Sequence, residues 1–559
     1  LAKLGTYSHL RPRMIRLPFR RISLSSLSLD ATPCARAPAR TLSTRVAIIG
    51  AGFSGLSMGI ELKKRGVEDF TIFESEAKLG GTWFKNTYPG VACDTPAPVY
   101  SLESTQYPWK SQRPQGSEIR AYLEWTAEQY GIRDKIRLNT DLDRACWDAE
   151  RMKWDTKFRG KEGPMAKQAT ESEDFDMLVS CVGQLNVPKK PNLPGLPDFQ
   201  GPCFHTAEWD HSVKIQGLRV GMIGAGPSAI QAAEPLSRMV GNLTMFQRSV
   251  PYIVREQYRD FSEQEIKEYE ADPSELEAMR KEQYDAAEEM YPAFYVGEDQ
   301  LKWQNKLIHQ MKEGLPSRLH QKCIPEYPFG IKRLGLSPAV GENSCLYYEA
   351  LKRPNVSVQR SEIQRIEPNG VRLSDGSFHE LDVLVLATGF QSTDFLNTVE
   401  ITGSHGKTLQ EAWEGVPQAF YGMAVPKFPN FYMIYGPGTN LGQNTVLVNI
   451  ESSSRYIAQC AEMLQTGKAK ALEIRDKAFL DYLKEYRSLI EKTTWSVEGV
   501  SNWYKSGKAG IVVNQSPWSV TEYRRRTTKL NPSDYIISRS PRPSDSNVLT
   551  CNSQSTNVQ

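Results

Sequence analysis

Apolar positions along the chain gather twice into runs that read almost alike, "RVAIIGAGFSG" at 45–55 and "RVGMIGAGPSA" at 219–229. In each, a short apolar run stops at a glycine turn, the pattern of a strand buried on both faces of a parallel sheet. After the first copy, "SGLSMGIELKKRG" carries apolar residues at helical spacing and closes at Gly66, a helix C-cap. A second strand, "FTIFE", then ends at Glu74. After the second copy, Pro227 opens a helix, where its missing amide costs nothing, and "LTMFQRS" forms the next strand. Two such units predict an α/β fold with two Rossmann-like dinucleotide-binding domains. From about 256 to 325 the alternation gives way to "SEQEIKEYEADPSELEAMRKEQYDAAEEM", which predicts an inserted helical subdomain with a solvated face.

The glycines have separate tasks. Gly50 and Gly224 allow the tight turn, and Gly52 and Gly226 let a pyrophosphate approach backbone. The third position, Gly55 after Phe53 and Ser54, and Ala229 after Pro227 and Ser228, sets how closely helix packs on strand. The two copies part company at the end of the next strand. Twenty-four positions after the first glycine stands Glu74 in the first copy and Arg248 in the second. A carboxylate accepts hydrogen bonds from ribose hydroxyls and repels a 2′-phosphate, which a guanidinium attracts through a bidentate fork. The first site is therefore expected to take FAD and the second NADPH.

Charge narrows the partners. With 68 Lys and Arg against 65 Asp and Glu, the 559-residue chain lacks the basic balance of a nucleic-acid binder, so a small molecule is the expected partner. Nine cysteines stand singly with no C-x-x-C pair, which excludes a flavin disulfide reductase and dithiol or zinc chemistry at such a pair. No apolar run is long enough to span a membrane. Residues 1–44 are rich in Arg and Ser with Asp30 the sole acid, which reads either as a mitochondrial presequence or as an unstructured arm from a misplaced gene start. Without a presequence the expected compartment is the cytoplasm. The Ser-, Asn- and Pro-rich stretch 526–559 is expected to be a disordered tail.

Between the two turns lies "FQGPCFHTAEWD". Phe199, Gly201, His205, Trp209 and Asp210 match every fixed position of the signature F-x-G-x-x-x-H-x-x-x-W-[PD], and here the chain resembles the type I Baeyer-Villiger monooxygenases. The related N- and S-oxidising flavin monooxygenases end this stretch differently, so Trp209-Asp210 favours the ketone-oxidising branch. "GGTW", "YPGVACDTPAPVYS", "FQRS", "FGIKR", "LATGF" and "FPNFYMIYGPGTN" look like further family landmarks in family order, covering roughly residues 45–525. Their wording is most similar to the branch acting on acetophenone-like and open-chain ketones.

The resemblance implies a split FAD domain at 45–185 and 384–525, with "LATGF" closing a strand where the chain returns to it. Residues 186–255 and 326–383 would form the linker and NADP domain around the 256–325 helices. It also implies that NADPH reduces FAD, that O2 adds to give a flavin peroxide, and that a ketone becomes an ester or lactone. Arg333 matches the family's catalytic arginine, a cation suited to a peroxide anion, and Asp94 the acid that tunes it. Alone, Asp94 in "CDTP" is also a good turn former and Arg333 an ordinary surface charge. Arg248, Ser249 and Lys332 are the candidate 2′-phosphate grip. Gly80, Gly81, Thr82, Trp83, Tyr100, Thr388 and Gly389 are candidates to line FAD, or to serve as core. His205 is expected to hold the linker rather than to transfer protons. A heteroatom monooxygenase is the rival function, and a redox-dead NADP-binding protein a remote one. The ketone itself is not written in the sequence.

Overall fold

The computed structural model describes residues 43–540 except 104, 106, 161–170, 501 and 507–509. Strand Val46–Ile49 is buried along its whole length, as its unbroken apolar run requires. It lies centrally in a five-stranded parallel sheet whose spatial order is Phe431–Met433, Met177–Ser180, Val46–Ile49, Phe70–Phe73, Ile136–Arg137. Helix Phe53–Lys64 covers this sheet and packs in turn on helix Val446–Gln465, where the Ser57 and Ser454 hydroxyls meet at 2.9 Å. A second five-stranded parallel sheet runs Val356–Gln359, Asn242–Phe246, Arg219–Ile223, Val383–Leu386, Cys203–His205. Helix Pro227–Met239 starts from its central strand with Pro227 in the first turn. The charged insertion forms helices Glu263–Ala271, Ser274–Glu289 and Glu298–Gly314, as its pattern predicts.

Two boundaries differ from the sequence expectation. Strand Val383–Leu386, read as the return to the first sheet, instead pairs with Arg219–Ile223 in the second, Val383 opposite Val220 through Leu386 opposite Ile223. "LATGF" is thus the second sheet's counterpart of "SCVGQ" at 180–184, which comes after Met177–Ser180 in the first; Gly183 and Gly389 both take positive φ, 70° and 79°. The chain rejoins the first sheet only at Phe431–Met433. The tail boundary also moves. Tyr535–Ser538 pairs antiparallel with Ala471–Ile474, and the apolar residues of "YIIS" account for it, with Tyr535 1% exposed. Residues 541–559 of the expected tail and 1–42 of the expected arm lie outside the described residues. Ser43 and Thr44 belong to the fold, the Thr44 amide donating to Gln465 Oε1 at 3.0 Å.

The chain leaves the first sheet through residues 187–190 and comes back beside them through 388–391. These two crossings are paired antiparallel: the Lys189 amide donates to Gly389 O at 2.8 Å, the Gln391 amide to Val187 O at 2.9 Å, and Pro188 bridges Phe390. Among the described residues no helix is long and apolar enough to cross a membrane.

Candidate active site

The first turn is closed by its own backbone. Gly50, at φ 109°, has no room for a side chain, since a Cβ would stand 2.6 Å from Cys181 O; one on Gly55 would stand 1.9 Å from Gly50 O. Gly52 faces Gly81 across a gap that a Cβ on Gly81 would narrow to 3.3 Å. Gly80 and Gly81 lead into the short helix Thr82–Lys85, so "GGTW" folds over the turn. Glu74 is 6% exposed; its Oε2 accepts the Ala51 amide at 2.8 Å and its Oε1 the Glu76 amide at 2.9 Å. Its carboxylate is thereby fixed at the strand end beside the turn. Phe53 meets Tyr100 edge-on at 5.0 Å, and Trp83 Nε1 donates to the Tyr100 hydroxyl at 3.1 Å. Ser54 is buried at the helix start. A floor free of side chains, a helix N-terminus and a fixed carboxylate suit a dinucleotide's pyrophosphate and ribose.

The second turn is more open. Gly224, at φ 138°, is again obligatory, with a Cβ only 2.1 Å from Ala387 O, whereas a Cβ on Gly226 would meet nothing within 4 Å. Ala229 is fully buried in the third position. Beyond the strand end, Arg248, Ser249, Lys332 and Arg360 line one cavity of about 410 Å³ together with Tyr327 and Glu326. Lys332 Nζ donates to Ser249 Oγ at 2.7 Å and lies 5.1 Å from the Tyr327 ring centroid. Burial, and then the charge of Arg248, pulls its ammonium below the usual lysine range. Three cations converging on one pocket, with Arg360 also 4.0 Å from Glu326, fit a phosphate dianion, whose charge would relieve the repulsion between Arg248 and Lys332. Arg360 had no motif to announce it. Its signal was position: it comes directly after strand Val356–Gln359, at the carboxyl end of a parallel strand where ligands bind.

Lys332 and Arg333, adjacent in sequence, have different partners. "FGIKR" is a turn, with Gly330 at φ 87°, that leads into strand Gly335–Val340. Arg333 Nη2 donates to Asp94 Oδ2 at 3.0 Å. The Asp94 charge, outweighing burial, holds the guanidinium above its already high range, so it remains a cation. The Asp94 carbonyl accepts the Tyr258 hydroxyl at 2.7 Å.

Thr388 and Gly389 lie in the crossing between the two sheets. They continue the second-sheet strand, and Thr388 Oγ1 donates to Lys189 O at 2.6 Å within the crossing. Four of the five signature residues, Phe199, Gly201, His205 and Trp209, pack into the fold, and Asp210 is exposed. Phe199 packs in a core cluster with Ile223 and Leu384, a Cβ on Gly201 would stand 2.3 Å from Asp382 O, and Trp209 meets Phe204 edge-on at 5.0 Å. His205 is wholly buried, accepts the Ala207 amide on Nδ1 at 3.1 Å, and is pulled down in pKa mainly by burial.

Residues 48–111 match the family of NAD(P)-binding Rossmann-like domains. A Baeyer-Villiger monooxygenase of Streptomyces coelicolor is 33% identical over 500 residues, 89% of this chain and 93% of that protein. One from Pseudomonas aeruginosa is 32% identical over 519 residues, 92% of this chain and 95% of that protein. The fold is similar to that of cyclohexanone monooxygenase from Rhodococcus sp. Phi1 bound to NADP+, with a TM-score of 0.76 at 23% identity, covering 88% of this chain and 99% of that one. At 33% identity over 89% of its length, the chain belongs to the Baeyer-Villiger monooxygenase family.

Proposed function

We propose that the protein uses NADPH, FAD and O2 to insert one oxygen atom beside a ketone carbonyl, releasing an ester or lactone, NADP+ and water. The observation that carries this reading is the Asp94–Arg333 ion pair, which joins the segment after the first turn to a cation adjacent in sequence to the phosphate pocket. Bound FAD, reduced by NADPH, supplies the activation of O2. The chain's own residues bind, aim and neutralise. The amides of the Gly50–Gly55 turn face the FAD pyrophosphate and Glu74 takes its ribose hydroxyls. Gly224 and Gly226 receive the NADPH pyrophosphate, while Arg248, Ser249 and Lys332, joined by Arg360, grip its 2′-phosphate. Arg333 stabilises negative charge on the reacting oxygens; being a guanidinium, it does so without giving up a proton. Asp94 keeps it aimed. The proposed substrates are open-chain and aryl ketones, and the proposed compartment is the cytoplasm.

The test is mass spectrometry of products from a panel of ketones, amines and sulfides incubated with NADPH. Esters one oxygen heavier than their ketones are expected; oxidation of the amines or sulfides with no ester would sink the proposal. In Arg333→Ala, ester formation should fall at least about 100-fold. Single-turnover reduction of FAD by NADPH should persist.

A further inference from the structure

The bend that carries Asp94 has no regular secondary structure of its own. Its carboxylate is held by Arg333 and its carbonyl by Tyr258, and both partners belong to one small ribbon. Strand Ile253–Glu256 pairs in parallel with Gly335–Val340, Ile253 opposite Gly335. Arg333 stands just before the second of these strands, and Tyr258 just after the first. The ribbon therefore grips a single residue of the other lobe at two points.

The backbone that follows Tyr258 is anchored independently. The Gln112 amide donates to Arg259 O at 2.9 Å and the Phe261 amide to Lys110 O at 2.8 Å. The same 110–114 segment holds the Asp94 loop on its other side, through the Ala97 amide to Gln112 O at 2.9 Å and the Cys93 amide to Pro114 O at 3.0 Å. Tyr258 is thus one layer removed from the loop it bonds, with its height above that loop fixed by backbone. Burial, reinforced by Asp94 and Glu256, pushes the phenol well above its ordinary pKa, so it stays a donor.

We infer that Tyr258 is a positioning residue for oxygen insertion: its hydroxyl, by holding the Asp94 carbonyl, sets the carboxylate that aims Arg333. This rests on the proposed roles of Arg333 and Asp94. Losing the hydroxyl leaves the Asp94 carbonyl without that donor, so the peptide between the anchored Cys93 and Ala97 amides can turn, Arg333 is then less well aimed, and NADPH and O2 are spent as NADP+ and hydrogen peroxide instead of ester.

The experiment is a double-mutant cycle of Tyr258→Phe and Asp94→Ala in the holoenzyme, with Arg333→Ala alongside. It reads the fraction of consumed NADPH that appears as ester and the alkylation rate of Cys93, the buried neighbour of Asp94, by peptide mass spectrometry. Tyr258→Phe should cut the ester fraction about three- to tenfold, the worth of one buried hydrogen bond, with KM for NADPH unchanged. Cys93 should alkylate several-fold faster. In the Asp94→Ala background, Tyr258→Phe should change the ester fraction by less than about 1.5-fold. Additive losses would overturn the inference, as would an unaltered ester fraction or failure of Tyr258→Phe to fold, which would make the hydroxyl a fold element. Full ester formation by Arg333→Ala would instead overturn the roles of Arg333 and Asp94 on which the inference rests, and a wild-type enzyme that makes no ester from any ketone would overturn the proposed function.

Discussion

The two glycine turns share most of their letters and are built to different tolerances. In the first, a methyl group on Gly55 would overlap Gly50 O at 1.9 Å and Gly52 rests near Gly81; in the second, Ala229 already occupies the third position and Gly226 has open space around it. The strand ends differ in the same sense. Glu74 is buried and tied to two backbone amides, whereas Arg248 is exposed at the rim of a cavity. A turn lidded by its own chain suits a ligand kept through many turnovers. An open turn with cations at its rim suits a coenzyme exchanged in each one.

The largest expected effect breaks this comparison at the third glycine. Gly55→Ala should yield protein without FAD and without activity, because the clash is with backbone that cannot move aside. Ala229→Gly should retain FAD and keep kcat/KM for NADPH within about fivefold, the cost of a glycine in a helix. Absorbance of the purified proteins and steady-state kinetics check both. A yellow, active Gly55→Ala enzyme would show that the first turn is as forgiving as the second.

Next comes the phosphate pocket. Arg248→Ala and Lys332→Ala should each lower kcat/KM for NADPH by about 10- to 100-fold through KM, the range for a charge-assisted contact, and leave NADH nearly unaffected. Arg360→Ala should cost less, about three- to tenfold, because its guanidinium also reaches the Gln321 and Lys322 carbonyls at 3.5 Å. Equal losses with both coenzymes would remove the 2′-phosphate from the explanation.

The smallest effects concern pH, and here the lobes lean opposite ways. Glu451, on the helix packed against the first turn's helix, is raised from 4.5 to about 7 by burial and then by Glu103. A raised carboxyl contributes stability below pH 4.5 that is lost as pH climbs to about 7. His205, at the edge of the second sheet, is lowered from 6.5, so its contribution is present above that pH and lost as pH falls below it. Thermal melts from pH 5 to 8 should show Glu451→Gln gaining most on the alkaline side and His205→Gln gaining most on the acid side. Gains of the same sign and pH dependence in both variants would refute the contrast.

Much of this was legible in the chain because its signals are local. Gly50 and Gly55 declare a turn with no room for a side chain at either position, and the charge at Glu74 or Arg248 sits at a fixed distance along the same unit. Arg333 and Asp94 were found only through resemblance, their own surroundings being generic. What sequence reasoning misplaced was allegiance at long range. "LVLATG" fits either sheet equally well, since both need an apolar strand and a positive-φ glycine at that place, and nothing within the string chooses between them. Tyr258 was missed for a related reason: its partner lies 164 residues away, and a hydroxyl bonded to a carbonyl demands nothing of the intervening chain.

The paired crossing at 187–190 and 388–391 has a mechanical consequence. A single tether lets a lobe swivel about any axis, whereas two strands laced by hydrogen bonds act like a leaf spring, compliant to bending across the ribbon and stiff to torsion. A nicotinamide carried on the second lobe would then approach and leave along one arc, as a drawer keeps its line when it has two runners.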